Sequence, residues 1–169
     1  MNITEEFIQS SKYLHEKHCW SITGGEGTGS VIGIDCGEKI PRKKKLVNPH
    51  LTDEQRLYKS ELSLLIWSAW RLDSENGVIC SSTDDNSNNG PMITGLKQLI
   101  GKKIRNVSIA TPMHDMTILF DEGYVLNIFC DQCENENYSF FTTSKIYTVE
   151  AKGEISAEEQ DFTCSGPAT

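Results

Sequence analysis

Apolar residues along this chain gather in short, strand-like runs separated by turn residues, and the clearest of these lie between Lys103 and Cys130. Ile104, Val107 and Ile109 mark an extended run whose alternation is interrupted by Asn106 and Ser108. Residues 115–121 and 124–130 are rich in β-formers, and the Glu122-Gly123 pair between them predicts a hairpin. Met116, Ile118 and Phe120 share one face, opposed either by Val125, Asn127 and Phe129 or by Tyr124, Leu126 and Ile128.

Upstream the pattern is mixed. Ile3, Phe7, Ser11 and Leu14 recur at helical spacing behind Glu5 and Glu6, which predicts a packing helix over residues 3–15. Residues 20–23 and 30–35 read as strands around a glycine-rich turn, and Pro41 with Arg42, Lys43, Lys44 and Lys45 ends this first hairpin. Thr52 and Gln55 form a capping-box pair that opens a short helix to about Lys59. Residues 62–72 are almost continuously apolar. Leu62, Leu64, Ile66 and Trp70 fall on one face and Leu65, Trp67 and Ala69 on the other, which predicts a central strand buried on both faces. A buried helix is the alternative, because Leu and Ala also favour helices.

The turn at residues 73–77 leads into a strand over residues 78–82, making another hairpin. Residues 83–91 read as an exposed polar loop, and residues 92–100 as a short helix stopped by Gly101. After the principal hairpin and a polar interval at residues 131–137, strands are expected over residues 138–142 and 146–149. The fold class is therefore α+β and β-rich: a mainly antiparallel sheet of several hairpins, with an N-terminal helix and short packing helices. Residues 1–150 are expected to form a single domain and residues 151–169 a peripheral or flexible tail.

Charge narrows the function classes. Asp and Glu number 24 against 16 Lys and Arg, a formal net charge of -8. This balance argues against nonspecific nucleic-acid binding and suits a basic protein partner. Arg42 to Lys45 is the one concentrated basic run, and it reads as a solvated turn. No apolar run is long enough to span a bilayer, and residues 1–20 lack a basic start with an apolar middle. A cytoplasmic protein with no membrane partner and reduced cysteines is expected, and self-association stays open.

Candidate chemistry is sparse. Gly24 to Ser30 lacks the Lys of a phosphate loop and is followed by an extended run, so its glycines read as a hairpin reversal. Cys130 and Cys133 have metal or redox spacing, but a closed zinc site needs two more ligands from among His15, His18, Cys19, Cys36, His50 and His114. His15, His18 and Cys19 read as a polar cluster at a helix end, and His114 with Asp115 as a water-facing strand entrance. Trp67 and Trp70 read as buried packing residues. No nucleophile elbow is present. No residue is assigned as catalytic, cofactor-binding or metal-binding.

Four segments resemble small bacterial proteins, some of them associated with polymorphic-toxin immunity systems. They are Gly29-Ser-Val-Ile, Ile40-Pro-Arg, Ser63-Leu-Leu-Ile-Trp-Ser-Ala-Trp-Arg-Leu72 and the stretch from Asp115 to Cys130. The resemblance implies a compact, non-catalytic binding module that neutralises a cognate toxin, and it assigns no functional residues. A small metal-dependent or nucleotide-processing enzyme is the alternative from a different class.

Overall fold

The alternation of the sequence resolves into strands that all pair antiparallel, as seen in the computed structural model, which describes residues 1–161. In chain order, α1 (Ile3–Ser11) precedes β1 (Cys19–Thr23), β2 (Ile32–Pro41), α2 (Asp53–Leu57) and β3 (Tyr58–Ile66). Next come β4 (Trp70–Ser74), β5 (Gly77–Ser81), α3 (Pro91–Leu96), β6 (Ile104–Ala110), β7 (Asp115–Phe120) and β8 (Val125–Ile128). The chain then returns as β9 (Tyr138–Phe141), β10 (Lys145–Val149) and β11 (Ile155–Glu159). A six-stranded sheet has the order β1-β2-β3-β9-β10-β11, and a five-stranded sheet the order β5-β4-β8-β7-β6. The second sheet is thus one continuous stretch inserted between β3 and β9.

The principal hairpin adopts one of its two expected facings, with Met116 opposite Ile128 and Ile118 opposite Leu126. Its turn is longer than two residues: Glu122 takes a positive φ of 61°, and the Phe120 N–H reaches the Tyr124 carbonyl at 2.8 Å. Residues 62–72 are extended, but they do not form one central strand. β3 ends at Ile66 in the first sheet and β4 begins at Trp70 in the second. Between them the Trp67 and Ser68 N–H groups both donate to the Asn137 carbonyl at 2.9 Å, which turns the chain from one sheet to the other. Continuous apolar character arises here because the segment crosses between two sheets. Burial also separates the two tryptophans: Trp70 is buried, whereas Trp67 is half-buried on the outer surface of the first sheet.

The two helices expected ahead of β1 and β3 both form, and α1 has a capping box that the sequence reading did not name. In α1 the Glu5 N–H donates to Asn2 Oδ1, and the Glu5 carboxylate accepts from the Asn2 N–H, completing a capping box. Lys12–Leu14 then tightens into a 3-10 turn that buries Leu14. Phe7 is fully buried and lies edge-on to His114, with the rings of Tyr138 and Tyr147 also packed beside it. Thr52 and Gln55 form the second capping box, ahead of α2. The expected helix over residues 92–100 is α3 followed by a 3-10 turn at Lys97–Leu99, with Gly101 at a φ of 87°. The interval expected as a peripheral tail carries β11, paired residue for residue with β10 at the sheet edge. The rest of that interval, from residue 162, lies outside the described residues.

One cluster of buried side chains joins the inner faces of both sheets, with α1 and α3 completing it. α3 approaches β5 closely through Gly95. A Cβ added there would lie 2.6 Å from Cys80 Sγ and 3.0 Å from Ile79 Cγ2. Alanine would gain about 1 kcal/mol of helix propensity, while overpacking costs about 1–3 kcal/mol. Gly95→Ala is therefore expected to destabilise by about 1 kcal/mol in urea unfolding; a stabilised variant would mean that α3 has room to move off β5.

Candidate functional site

The inner face of the six-stranded sheet is buried, so its outer face is where the alternation of the strands becomes informative. Residues paired across this face run Asp35, Ser63, Phe141, Ile146 and Glu158 in one row. Gly33, Leu65, Ser139, Thr148 and Ser156 form the next row. An exposed sheet face normally carries polar side chains. Here Leu65, Phe141 and Ile146 are only half-buried, and with Trp67 they floor a groove of about 510 Å³.

Carboxylates flank this floor. Glu136, Glu150 and Glu158 line the groove, and among the described residues none of the three is in an ion pair. Glu150 accepts from Ser156 Oγ at 2.5 Å, which leaves its charge uncompensated. Several carboxylates elsewhere are held in ion pairs. Glu6 takes Lys145 at 2.6 Å, Glu61 takes Lys17 at 2.8 Å, and Asp121 takes Arg105 at 2.5 Å. Hydrogen bonds from Lys145 and Tyr147 hold Glu6 below the ordinary carboxylate range.

Phe141 is shared with a second hollow of about 210 Å³ towards β1. The segment between β2 and β3 walls it. α2 is tied down through Gln55, whose Nε2 donates to Ser21 Oγ at 2.6 Å, and Arg42 Nε donates to the Gln55 carbonyl at 3.3 Å. Lys39 of β2 and Glu54 of α2 form an ion pair that ties the same segment to the sheet. Arg42 is half-buried here and does not behave as a simple solvated turn residue. At the base sits Asp35, accepting from Ser60 Oγ at 2.7 Å. Burial is the main influence on its carboxyl and raises its pKa; hydrogen bonds from Ser60 and Ser21 work against that rise.

A raised folded pKa means that the folded state binds protons more readily, so Asp35 costs stability as pH rises through its titration. Relative to Asp35→Asn, the wild-type chain is expected to lose stability as pH climbs from the acid range towards neutrality. Parallel urea titrations of both proteins check this, and a pH-independent difference would contradict it.

The other candidates from the sequence do not converge. Among the described residues, no three His, Cys, Asp or Glu side chains are grouped so as to hold a metal ion. His15, His18 and His50 are exposed. His114 does not face water: it is buried, with Nδ1 2.8 Å from the Gly153 carbonyl, and its own carbonyl accepts from Tyr138. The Gly24–Ser30 stretch is a reversal held by Asn86, whose Nδ2 donates to the carbonyls of Gly25 and Gly29.

No family model, curated protein or solved structure matches the chain.

Three of the described thiols are held in the protonated form by their surroundings. Burial, then the neighbouring Asp115, pushes Cys130 up to about 12, and burial with Asp84 does the same to Cys80. Cys36 rises well above its ordinary value, chiefly through its contact with Cys19 and then through burial. Because the thiolate is the reactive form, iodoacetamide is expected to label exposed Cys133 first among the described cysteines. Peptide mapping by mass spectrometry reads this order, and early labelling of Cys130 would contradict it.

The groove was not singled out in the sequence, although a signal exists. Leu64-Leu65, Phe140-Phe141 and Ile146-Tyr147 each put apolar residues on both faces of a strand. Such doublets mark strands covered on both sides or available to a partner.

Proposed function

We propose that the chain is a non-catalytic protein-binding module that receives a basic segment of a partner protein in the outer groove of its six-stranded sheet. In this reading it acts as an immunity protein, neutralising a cognate toxin by occupying it. The observation that carries the reading is the apolar floor of Leu65, Trp67, Phe141 and Ile146, flanked by Glu136, Glu150 and Glu158, which have no ion partner among the described residues. A cationic segment with apolar anchors complements both parts of that surface.

The two parts do different work. Apolar anchors in a desolvated floor supply most of the affinity. Exposed rim charges contribute only about 0.2–1 kcal/mol each, but they speed encounter and make it salt-dependent. The net charge of -8 adds to the same steering. The test is cell protection: the chain is co-expressed with a toxin encoded beside its gene. Growth is expected with the wild-type chain and is lost with Phe141→Ala. Growth retained by Phe141→Ala, or toxicity undiminished by the wild-type chain, would contradict the reading.

A further inference from the structure

The two edges of the six-stranded sheet, β1 and β11, are closed to different degrees. At β1 the Cys19 N–H donates to the Lys102 carbonyl, and the Cys19 carbonyl accepts from the Gly101 N–H. The Ile22 carbonyl on the same edge accepts from Gln55 Nε2. At β11 the register points to an open edge. Its residues pair with β10 from Ile155 opposite Val149 to Glu159 opposite Lys145. At the two ends of this ladder the Glu150 N–H donates to the Glu154 carbonyl and the Gln160 N–H to the Ser144 carbonyl, both at 2.7 Å. Hydrogen-bonded and non-hydrogen-bonded pairs alternate along an antiparallel ladder. Ser156 and Glu158 therefore turn their backbone groups towards β10, while Ile155, Ala157 and Glu159 turn theirs away from the sheet. Among the described residues, no hydrogen bond reaches the N–H or the carbonyl of Ile155, Ala157 or Glu159. An open row of this kind is a template for a further strand.

Charge selects the occupant. Glu154, Glu158 and Glu159 are exposed along this edge. Lys145 is shared between Glu6 and Glu159, and Lys152 stands in the turn ahead of β11. A second copy of the chain would bring the same glutamates to the edge and be repelled, whereas a strand carrying Lys or Arg would be attracted. The groove reaches this edge, because Ser156, Ala157 and Glu158 belong to its wall.

We propose that the partner's basic segment continues from the groove onto β11 and pairs there as an added strand. Its backbone bonds to the N–H and carbonyl groups of Ile155, Ala157 and Glu159, and its Lys or Arg side chains lie beside Glu158. That the strand comes from the occupant of the groove rests on the docking reading; the open edge does not.

The probe is the acetylated peptide Lys-Val-Lys-Val-Lys-Val-Lys, titrated into the full nitrogen-labelled chain with amide hydrogen exchange read residue by residue. The amides of Ile155, Ala157 and Glu159 are expected to exchange freely in the unbound chain and to slow saturably as the peptide is added. The same peptide methylated at its backbone nitrogens keeps its side chains and charge but loses its donors, and it is expected not to slow them. Ala157→Pro removes an N–H that β10 does not use, so the ladder is kept. It is expected to weaken the peptide by at least roughly threefold to tenfold, the worth of one neutral hydrogen bond. Should that variant not fold, the comparison of the two peptides on the wild-type chain decides. Slow exchange at these amides without peptide would mean that another part of the chain or a second copy already covers the edge, and would overturn the proposal. Equal effects of the two peptides, or an unchanged affinity in folded Ala157→Pro, would overturn it as well. If the probe pairs with β11 while Phe141→Ala still protects cells, the docking reading fails and the edge stands. If protection needs Phe141 but the probe does not pair with β11, the edge pairing alone falls.

Discussion

Trp70→Ala is expected to lower the free energy of unfolding by about 3–5 kcal/mol, the range for truncating a large buried aromatic. Trp70 is 1% exposed and opens β4, the first strand after the chain leaves the six-stranded sheet. Its indole Nε1 donates to the Ser30 carbonyl at 2.9 Å, so it also pins the turn between β1 and β2. A domain of this size is stable by about 5–15 kcal/mol, so the loss takes a large part of the whole. Urea unfolding with a constant denaturant slope reads the change. Trp70→Phe, which keeps much of the volume and removes the hydrogen bond, is expected to cost about 1–2 kcal/mol. Equal losses in the two variants would mean that the hydrogen bond, and not the packing, dominates.

Phe141→Ala is expected to weaken partner binding by about 30-fold or more, equivalent to about 2 kcal/mol for an anchor at the centre of an interface. Phe141 is half-buried and lies where the groove and the smaller hollow meet. Glu158→Gln, on the rim, is expected to change affinity by less than about fivefold and to act mainly on the association rate. Titration calorimetry at low and moderate salt separates the two effects. If the rim variant costs more than the floor variant, the interface is organised around charge and the floor has been misjudged.

These expectations depend on features that the sequence reveals unevenly. Hairpins were legible because each is a local pattern: Met116, Ile118 and Phe120 alternate, and the turn residues sit between matched runs. The Asn2 and Thr52 caps use contacts three residues apart, and only the second announces itself before a helix that carries no buried residue. What the sequence could not show was the division into two sheets. The pairing of β3 with β9 joins residues such as Leu64 and Phe140, and the break at Ser68 is fixed by Asn137 from far along the chain. The same long-range pairing creates the candidate site. Asp35, Ser63, Phe141, Ile146 and Glu158 come from five strands and become one row only after those strands align. His114 illustrates the opposite error. A polar pair at a strand entrance suggests water, yet Gly153 from the C-terminal interval covers the ring.

The central claim is that the outer face of the six-stranded sheet is a docking surface for a basic segment. The most direct measurement is selection of a random peptide library against the full chain, with the enriched peptides then titrated by fluorescence polarisation. The account predicts enriched sequences that combine Lys or Arg with apolar anchors, bind less tightly as salt rises, and lose affinity for Phe141→Ala. Enrichment without a basic bias, or peptides that bind wild type and Phe141→Ala equally, would contradict it.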